Sequence, residues 1–164
     1  MRRQIQGPTG GRLAVHFRST TDLWETPGPL FRRLDREFRF GLDVCAVAEN
    51  AKCGRFYSPA EDGLAQRWEG TCWMNPPYGR GIGQWVSKAL AEARRDAVVV
   101  ALVPARTDTR WWHEAVMAAA EIRLVRGRIR FGTAAHAAPF PSAVVVFRGG
   151  SGSGPPALSA LDAS

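Results

Sequence analysis

One short stretch of the chain combines residue types that can bind a flat ring bearing an amine. In GTCWMNPPYG, an apolar run leads directly into Asn75, Pro76, Pro77 and Tyr78. The Asn75 side-chain oxygen and the Pro76 carbonyl oxygen can each accept a hydrogen bond, and neither proline has an N–H group that would compete. The Tyr78 ring offers a face on which a planar group can stack. The alternative interpretation is an ordinary proline turn packed by an aromatic ring.

The chemistry that suits these groups is alkylation of an exocyclic amine such as that of adenine. The lone pair of this amine is delocalised into the ring, so the amine is a poor nucleophile. Two acceptors that bind its two N–H groups leave the lone pair pointing at an electrophile, which is stabilisation by prearranged dipoles. An Asp, Asn or Ser followed by two prolines and an aromatic residue occurs by chance in about one in a hundred chains of this length. The pattern therefore predicts an amine-binding site.

Helices and strands alternate around this stretch. Apolar periodicity predicts a helix in TPGPLFRRLDREF, with Thr26 as its N-cap and Pro27 at its first position, and further helices from Ile82 and from Asp108. Unbroken apolar runs predict strands in FGLDVCA, GTCWM, AVVVALVPA, IRLVRGRIRF and SAVVVFRG, and Gly127 in the fourth run is compatible with a hairpin. This order predicts a compact α/β fold with a mainly parallel sheet flanked by helices.

Such a sheet predicts where the ligands bind. Ligands of open α/β sheets lie beyond the carboxyl ends of the strands. Asp43, Asn75 and Arg106 each follow a predicted strand, so we expect them at one edge of the sheet.

The ends of the chain differ in composition from its middle. The chain has 164 residues, which favours one domain. Residues 1–19 mix Arg, Gly, Gln and Thr without periodicity, which predicts a flexible N-terminal segment. Residues 149–164, GGSGSGPPALSALDAS, predict a disordered tail because Gly, Ser and Pro bury little apolar surface. The folded unit is expected over residues 20–148.

Charge and cysteine content limit the class of protein. Lys and Arg total 22 against 15 acids, a net charge of +7, which favours a polyanionic partner such as nucleic acid. No apolar stretch is long enough to span a membrane and no secretory start is visible, so we expect a cytoplasmic protein. The three cysteines form no C-x-x-C pair and the histidines lack ligand spacing, so we expect no bound metal.

Six stretches of the chain resemble the phage- and prophage-encoded family of DNA N-6-adenine methyltransferases, the Dam-like group. They are DLWETPGPLFRRLDREFRFGLD, DGLAQRW, WMNPPYG, ALVPARTDTRWWH, GRIRF and APFPSAVVVF, in this order over about residues 20–148. The resemblance implies a Rossmann-like methyltransferase fold, S-adenosylmethionine (SAM) as methyl donor and double-stranded DNA as substrate, in a bacterial host cell. It also implies that the target adenine is flipped out of the duplex, because its amine is otherwise buried in pairing and stacking.

The resemblance implies a set of cofactor-binding residues, namely Thr26, Pro27, Asp43, Ala46, Asp62, Gly63 and Asn75. Thr26 and Pro27 resemble the segment at the methionine end of SAM, although an ordinary helix cap explains them equally well. Asp43 resembles the acid that governs the cofactor loop. The following DVCAVAEN departs from the wider D-x-x-x-G-x-G pattern because it contains no glycine, although its alanines are small. Asp62 resembles the turn that binds the adenine of SAM, or is only an acid at a helix start.

On the substrate side, the resemblance implies that Phe140 completes the base pocket opposite Tyr78. Phe131 is a competing candidate, and core packing is an alternative for either ring. Arg106 is expected to contact a phosphate or the flipped base. Backbone phosphates are assigned to a group of arginines, Arg80, Arg110, Arg128 and Arg130.

Two other functions remain open at this point. Asn-Pro-Pro-Tyr also suits planar amines of RNA and of protein glutamine, so a SAM-dependent enzyme with one of those substrates is the first alternative. The second is a DNA-binding protein that kept the fold and lost the reaction, which the glycine-free loop favours.

Overall fold

The computed structural model describes residues 24–163, which form a mixed α/β fold. The helices are α1 (Gly28–Phe38), α2 (Ile82–Ala93) and α3 (Arg110–Glu114), and a short 3-10 turn follows over Val116–Ala118. The strands are β1 (Leu42–Asp43), β2 (Thr71–Met74), β3 (Val98–Pro104), β4 (Glu121–Arg126), β5 (Ser142–Phe147) and β6 (Ala157–Asp162). None of the helices in this part of the chain is both long and apolar enough to cross a membrane.

The six strands form one sheet in the order β1-β2-β3-β5-β4-β6. β1, β2 and β3 are parallel neighbours, with Asp43 beside Trp73 and Met74 beside Ala101. β5 is antiparallel to both β3 and β4, whereas β6 is parallel to β4. The carboxyl ends of β1, β2 and β3 therefore lie at one edge of the sheet, as the sequence predicts for Asp43, Asn75 and Arg106.

The core lies around the two central strands, which are apolar on both faces. All residues of β5 are buried, as are all those of β3 after its first residue. α2, predicted from Ile82, contributes a buried apolar stripe of Ile82, Val86, Ala89, Leu90 and Ala93. This packing fixes the positions of β2 and β3 under the loops that follow them.

The sheet is mixed rather than mainly parallel. Three of the five strand pairs are parallel and two are antiparallel. The prediction erred at β5, because a strand buried on both faces has the same apolar pattern in either direction. Gly127 also forms no hairpin, since β4 ends at Arg126 and the next strand begins at Ser142.

The C-terminal segment contains a strand where the sequence predicts a disordered tail. Residues 157–162 form β6 at the edge of the sheet, and Leu161 is buried against the core. The folded unit thus extends beyond residue 148. The glycines and two of the serines that suggested disorder lie in the turn before this strand, at residues 149–154, whereas the strand itself, ALSALD, contains one serine and no glycine. The predicted N-terminal segment, residues 1–19, lies outside the described residues.

Two predicted helix starts were wrong. α1 begins at Gly28 after Pro27, with no side-chain cap, and Thr26 lies one residue further back. α3 begins after Thr109 rather than at Asp108 and is only five residues long. The Thr26 side chain therefore does not cap α1, and its hydroxyl contacts Asn75 instead.

Candidate active site

The loop that follows β2, residues 75–78, is called the NPPY loop below. It leaves the sheet at the edge where β1, β2 and β3 end, as the proline pair requires, because neither Pro76 nor Pro77 can donate to a strand ladder. Pro76 is buried and Pro77 is half-buried. No backbone N–H among residues 24–163 donates to the Pro76 carbonyl oxygen, so this acceptor is available.

Asn75 is held by its amide nitrogen and leaves its oxygen without a partner. Its Nδ2 donates to the Trp24 carbonyl oxygen and to the Thr26 hydroxyl at 3.0 Å. Its Oδ1 is buried and accepts no hydrogen bond from the residues that the structure describes. Two other buried side-chain oxygens there lack partners, but only that of Asn75 belongs to the NPPY loop. A buried acceptor in this state costs about 1–3 kcal/mol unless a ligand donates to it.

Thr26 is therefore a partner of Asn75 and not a helix cap. Its side chain is 2% exposed. The preceding residue, Glu25, connects two further parts of the chain. Its Oε1 binds Lys52 Nζ at 3.1 Å, and its carbonyl oxygen accepts from the Gly132 N–H at 2.8 Å. The segment Trp24–Thr26 thus joins the loop after β1, the NPPY loop and the chain after β4. Pro27 is half-buried at the start of α1.

Tyr78 is enclosed by other aromatic rings. It is 5% exposed, and its hydroxyl donates to the Leu102 carbonyl oxygen of β3 at 3.1 Å. Burial raises the pKa of the Tyr78 hydroxyl well above its usual range, so it stays protonated. Phe131 and Phe140 both meet the ring edge to face, with centroids 6.0 and 5.6 Å away. Trp24 contacts both phenylalanines at 5.3 and 5.1 Å.

These four rings, Trp24, Tyr78, Phe131 and Phe140, are called the aromatic cluster below. Both candidates for the second base-pocket ring thus contact Tyr78, and neither is parallel to it. At these centroid separations there is no gap between Tyr78 and its neighbours for a flat base. A base that stacks on Tyr78 has to displace at least one ring, and Phe140 is the half-buried one, whereas Phe131 is buried. The sequence did not predict that Trp24 belongs to the site. Its position directly before Glu-Thr-Pro was the only indication of this role.

The loop after β1 is organised by Asp43, which is 3% exposed. One carboxylate oxygen accepts from the Cys45 N–H at 3.3 Å and the other from the Lys52 N–H at 3.1 Å. Burial raises the pKa of this carboxyl, and the two backbone bonds act against that shift. Ala46 is buried in the same loop, and its N–H donates to the Tyr57 carbonyl oxygen at 3.1 Å. The Asp43 carboxylate therefore closes a loop that has no glycine.

Cys45 lies between this loop and the NPPY loop. The Asn75 backbone N–H and the Tyr78 ring are neighbours of its side chain. Burial, followed by the negative charge of Asp43, raises the pKa of the Cys45 thiol. The thiol is protonated at neutral pH and acts as a small apolar wall.

Asp62 and Gly63 form a turn that packs against the end of β1. A side-chain carbon added at Gly63 would lie 2.1 Å from the Val44 carbonyl oxygen and 3.2 Å from the Trp85 ring. Only glycine permits this close approach. Asp62 is exposed and has a positive φ of 53°, and its Oδ1 accepts from the Leu64 N–H at 3.2 Å. The predicted cofactor-binding turn thus lies next to the predicted cofactor loop.

The arginines predicted to bind the substrate lie on the surface. Arg106 is exposed beyond β3, and Arg80 is exposed just after the NPPY loop. Arg80 lines a groove of about 410 Å³ together with Gly83, Gln84, Ser87, Arg110, Trp111 and Glu114. Arg110 is paired with Glu114 at 2.6 Å in this groove. Arg128 and Arg130 are exposed on the chain after β4. Residues 24–163 contain no group of three or more His, Cys, Asp or Glu side chains that could hold a metal.

A methyltransferase family accounts for this combination of fold and site. The family model described as DNA N-6-adenine-methyltransferase (Dam) matches residues 15–146, most of the chain. The chain belongs to this family, as its sequence motifs predict.

Two phage proteins named DNA N-6-adenine-methyltransferase are among its relatives. The protein of Haemophilus phage HP1 is 34% identical over 119 residues, which cover 70% of this chain and 68% of the relative. The protein of Escherichia phage T1 is 37% identical over 105 residues, which cover 62% of this chain and 43% of the relative. The chain thus spans less than half of the T1 protein.

Proposed function

We propose that this chain transfers a methyl group from SAM to the exocyclic N6 amine of an adenine flipped out of double-stranded DNA. The observation that carries the proposal is the buried Asn75 oxygen, which has no hydrogen-bond partner among residues 24–163 although the amide nitrogen has two. An amine is a ligand that can donate to this oxygen and to the Pro76 carbonyl at the same time. Membership of the family supports DNA as the substrate.

The residues at the site would act by orientation. Asn75 and Pro76 accept the two N–H groups, and the amine lone pair then points away from both acceptors. Pro77 stiffens the loop, and Tyr78 supplies the stacking face once the aromatic cluster opens. No nucleophile from the protein is needed, and the protonated thiol of Cys45 takes no part. The amine nitrogen would itself attack the methyl carbon, the bond from that carbon to the sulfonium sulfur of SAM would break to leave a neutral thioether, and the methylated amine would then lose one proton to water.

SAM supplies an electrophilic methyl group, and the chain has residues that fit its other parts. We assign the cofactor to the loop after β1 and the turn at Asp62 and Gly63, which pack together through the Val44 carbonyl. Asp62 has one carboxylate oxygen without an assigned donor, and this oxygen can accept from the adenine amine of the cofactor. The loop after Asp43 has no glycine, but Cys45 and Ala46 are small residues. These features support a Rossmann-like SAM site.

DNA would lie across the sheet edge that carries the NPPY loop. Arg80 and Arg106 are exposed on this edge, and the groove beside the loop adds Arg110 and Trp111. Exposed arginines bind phosphates, so affinity should fall steeply with salt. Together with the phage relatives, these features support action in the cytoplasm of a bacterial host, with the gene carried by a phage or prophage.

The direct test is methyl transfer from tritiated SAM to DNA, to RNA and to protein in parallel. We expect label in double-stranded DNA, recovered as N6-methyladenine after digestion to nucleosides. Label in RNA or glutamine alone would replace the proposed substrate. Equilibrium dialysis with SAM is the second arm, and a clean absence of binding would favour a DNA-binding relative without activity. Long-read sequencing of a methylated plasmid then gives the recognition sequence.

A further inference from the structure

The Asn75 amide can bind a substrate amine in only one of its two possible orientations. The oxygen and nitrogen of an amide are similar in size, so the side chain fits the same space when rotated by half a turn. Only one of the two orientations presents an acceptor to an amine. The other would present N–H groups to the N–H groups of the substrate.

Two neighbours of Asn75 differ in what they can accept or donate. The Thr26 hydroxyl at 3.0 Å can accept a hydrogen bond or donate one, so by itself it tolerates either orientation. The Trp24 carbonyl oxygen can only accept. If the amide were reversed, two acceptor oxygens would face each other at this position. The main chain of Trp24 therefore determines which amide atom is directed away from it.

We infer that the Trp24 carbonyl and the Thr26 hydroxyl are positioning groups that fix the Asn75 oxygen toward the substrate amine, and that the Trp24 carbonyl excludes an ionised carboxylate at position 75. The inference rests on the proposed role of Asn75 as an acceptor. It explains why this chain has an amide where the sequence pattern would equally allow an acid. A carboxylate has no hydrogen to donate to Trp24, whereas a protonated carboxyl group has one.

The test is the pH profile of Asn75→Asp. Repulsion by the Trp24 carbonyl and burial both raise the pKa of a carboxyl group placed here. Below that pKa the carboxyl group is protonated, so it can donate a hydrogen bond to the Trp24 carbonyl and still accept one from the substrate amine. Above that pKa the carboxylate is repelled by the Trp24 carbonyl and moves away from the position that the amine requires. The turnover of N75D relative to the parent protein, at saturating SAM and DNA, should fall by about tenfold per pH unit on the ionised side. The parent protein has an uncharged amide and lacks this dependence.

A pair of substitutions at Thr26 tests the second contact. Thr26→Val keeps the shape but removes the acceptor, and kcat should fall by roughly five- to tenfold, the usual effect of one hydrogen bond. Thr26→Ser keeps the hydroxyl and should recover most of that loss. SAM binding by isothermal titration is measured for both variants, because a role only in cofactor binding would change KM for SAM and leave kcat intact.

The outcomes separate this inference from the proposed function. If N75D has the same pH profile as the parent protein, or if T26V and T26S lose kcat equally, the positioning role is wrong even though methylation continues. If Asn75→Ala methylates DNA at a near-normal rate, the acceptor role itself is wrong and the inference is lost with it. Circular dichroism at each pH identifies any variant that has unfolded.

Discussion

The loops after β1 and β2 lie side by side at one edge of the sheet, but they use their polar side chains in opposite ways. Both oxygens of Asp43 accept hydrogen bonds from backbone N–H groups of their own loop. The Asn75 oxygen accepts none from residues 24–163, although its nitrogen is fully occupied. Asp43 therefore stabilises the fold of its loop, whereas Asn75 is held by the fold through its nitrogen and has one oxygen without a partner among these residues.

This difference separates two kinds of site residue that look alike in the sequence. Both are short polar residues directly after an apolar strand. The satisfied acid stabilises the loop to which we assign the cofactor, so its loss should affect folding and cofactor binding. The unsatisfied amide is the proposed acceptor for the substrate amine, so its loss should affect the rate.

Asn75→Ala gives the largest expected effect. Turnover should fall by roughly 10²–10³-fold or more, as when one prearranged polar group is removed from an active site. Stability should change by only about 1 kcal/mol, because two hydrogen bonds are lost together with one unsatisfied oxygen. Methylation kinetics, thermal unfolding and SAM dialysis measure the three quantities. A variant that loses SAM binding in parallel with activity would place Asn75 with Asp43 in the scaffold.

Tyr78→Ala tests whether the NPPY loop is also part of the core. Loss of a buried ring should lower stability by about 3–5 kcal/mol and weaken DNA binding as well. Tyr78→Phe keeps the ring and loses only the bond to the Leu102 carbonyl, so about 1 kcal/mol of stability is expected to be lost, with turnover changed only a few-fold. Denaturant unfolding and KM for DNA distinguish the two. Equal stability of both variants would contradict the enclosed position of the ring.

Gly63→Ala probes the contact between the turn to which we assign the cofactor and the Val44 carbonyl just after β1. The added carbon would meet the Val44 carbonyl oxygen, and the backbone has to shift, at a cost of about 1–3 kcal/mol. SAM affinity should fall while kcat at saturating SAM stays close to normal. Gly54→Ala is the matched control, because nothing lies within 4 Å of the added carbon there. If the control is equally impaired, the effect at Gly63 is not due to this contact.

Asp43→Asn should give the smallest loss of the four in turnover. In this variant an amide NH2 group replaces one carboxylate oxygen and faces a backbone N–H group. The free energy of unfolding should fall by about 1–2 kcal/mol as a result. The dissociation constant for SAM should rise, and kcat at saturating SAM should be nearly unchanged. Glu49→Gln, at an exposed acid of the same loop, should change stability by less than about 0.5 kcal/mol. A kcat for D43N as low as that of N75A would remove the contrast between the two loops.

The sequence predicts the strands under the site well because their signals are local. The run from Thr71 to Met74 ends at a proline pair, and the valine-rich run that forms β3 has no breaker in it. The edge shared by Asp43, Asn75 and Arg106 follows from the parallel order of three consecutive strands. The direction of β5 has no such local signal, so the predicted α/β sheet is confirmed only as a mixed one, with three parallel and two antiparallel strand pairs.

The remaining errors come from contacts between distant parts of the chain. β6 was predicted as a disordered tail because its neighbours are Gly, Ser and Pro, and its pairing with β4 cannot be inferred from composition. Thr26 was predicted to cap a helix two residues away, yet its hydroxyl accepts from a side chain 49 residues further on. A short hydroxyl residue before a proline has the same pattern in both roles. The assignments of SAM-binding and DNA-binding residues stay predictions until the variants are measured.

The contacts that orient Asn75 come from a segment outside the sheet. Trp24 and Asn75 are 51 residues apart and are joined by a side-chain bond rather than by strand pairing. The sheet closes loops of similar length through its own strand pairing, as between Val99 and Phe147, and none of its strand pairs includes the segment Trp24–Thr26. The order of the sheet and the orientation of Asn75 are therefore separable. A fragment that begins after Thr26 should retain the β2–β3 core and leave Asn75 free to rotate.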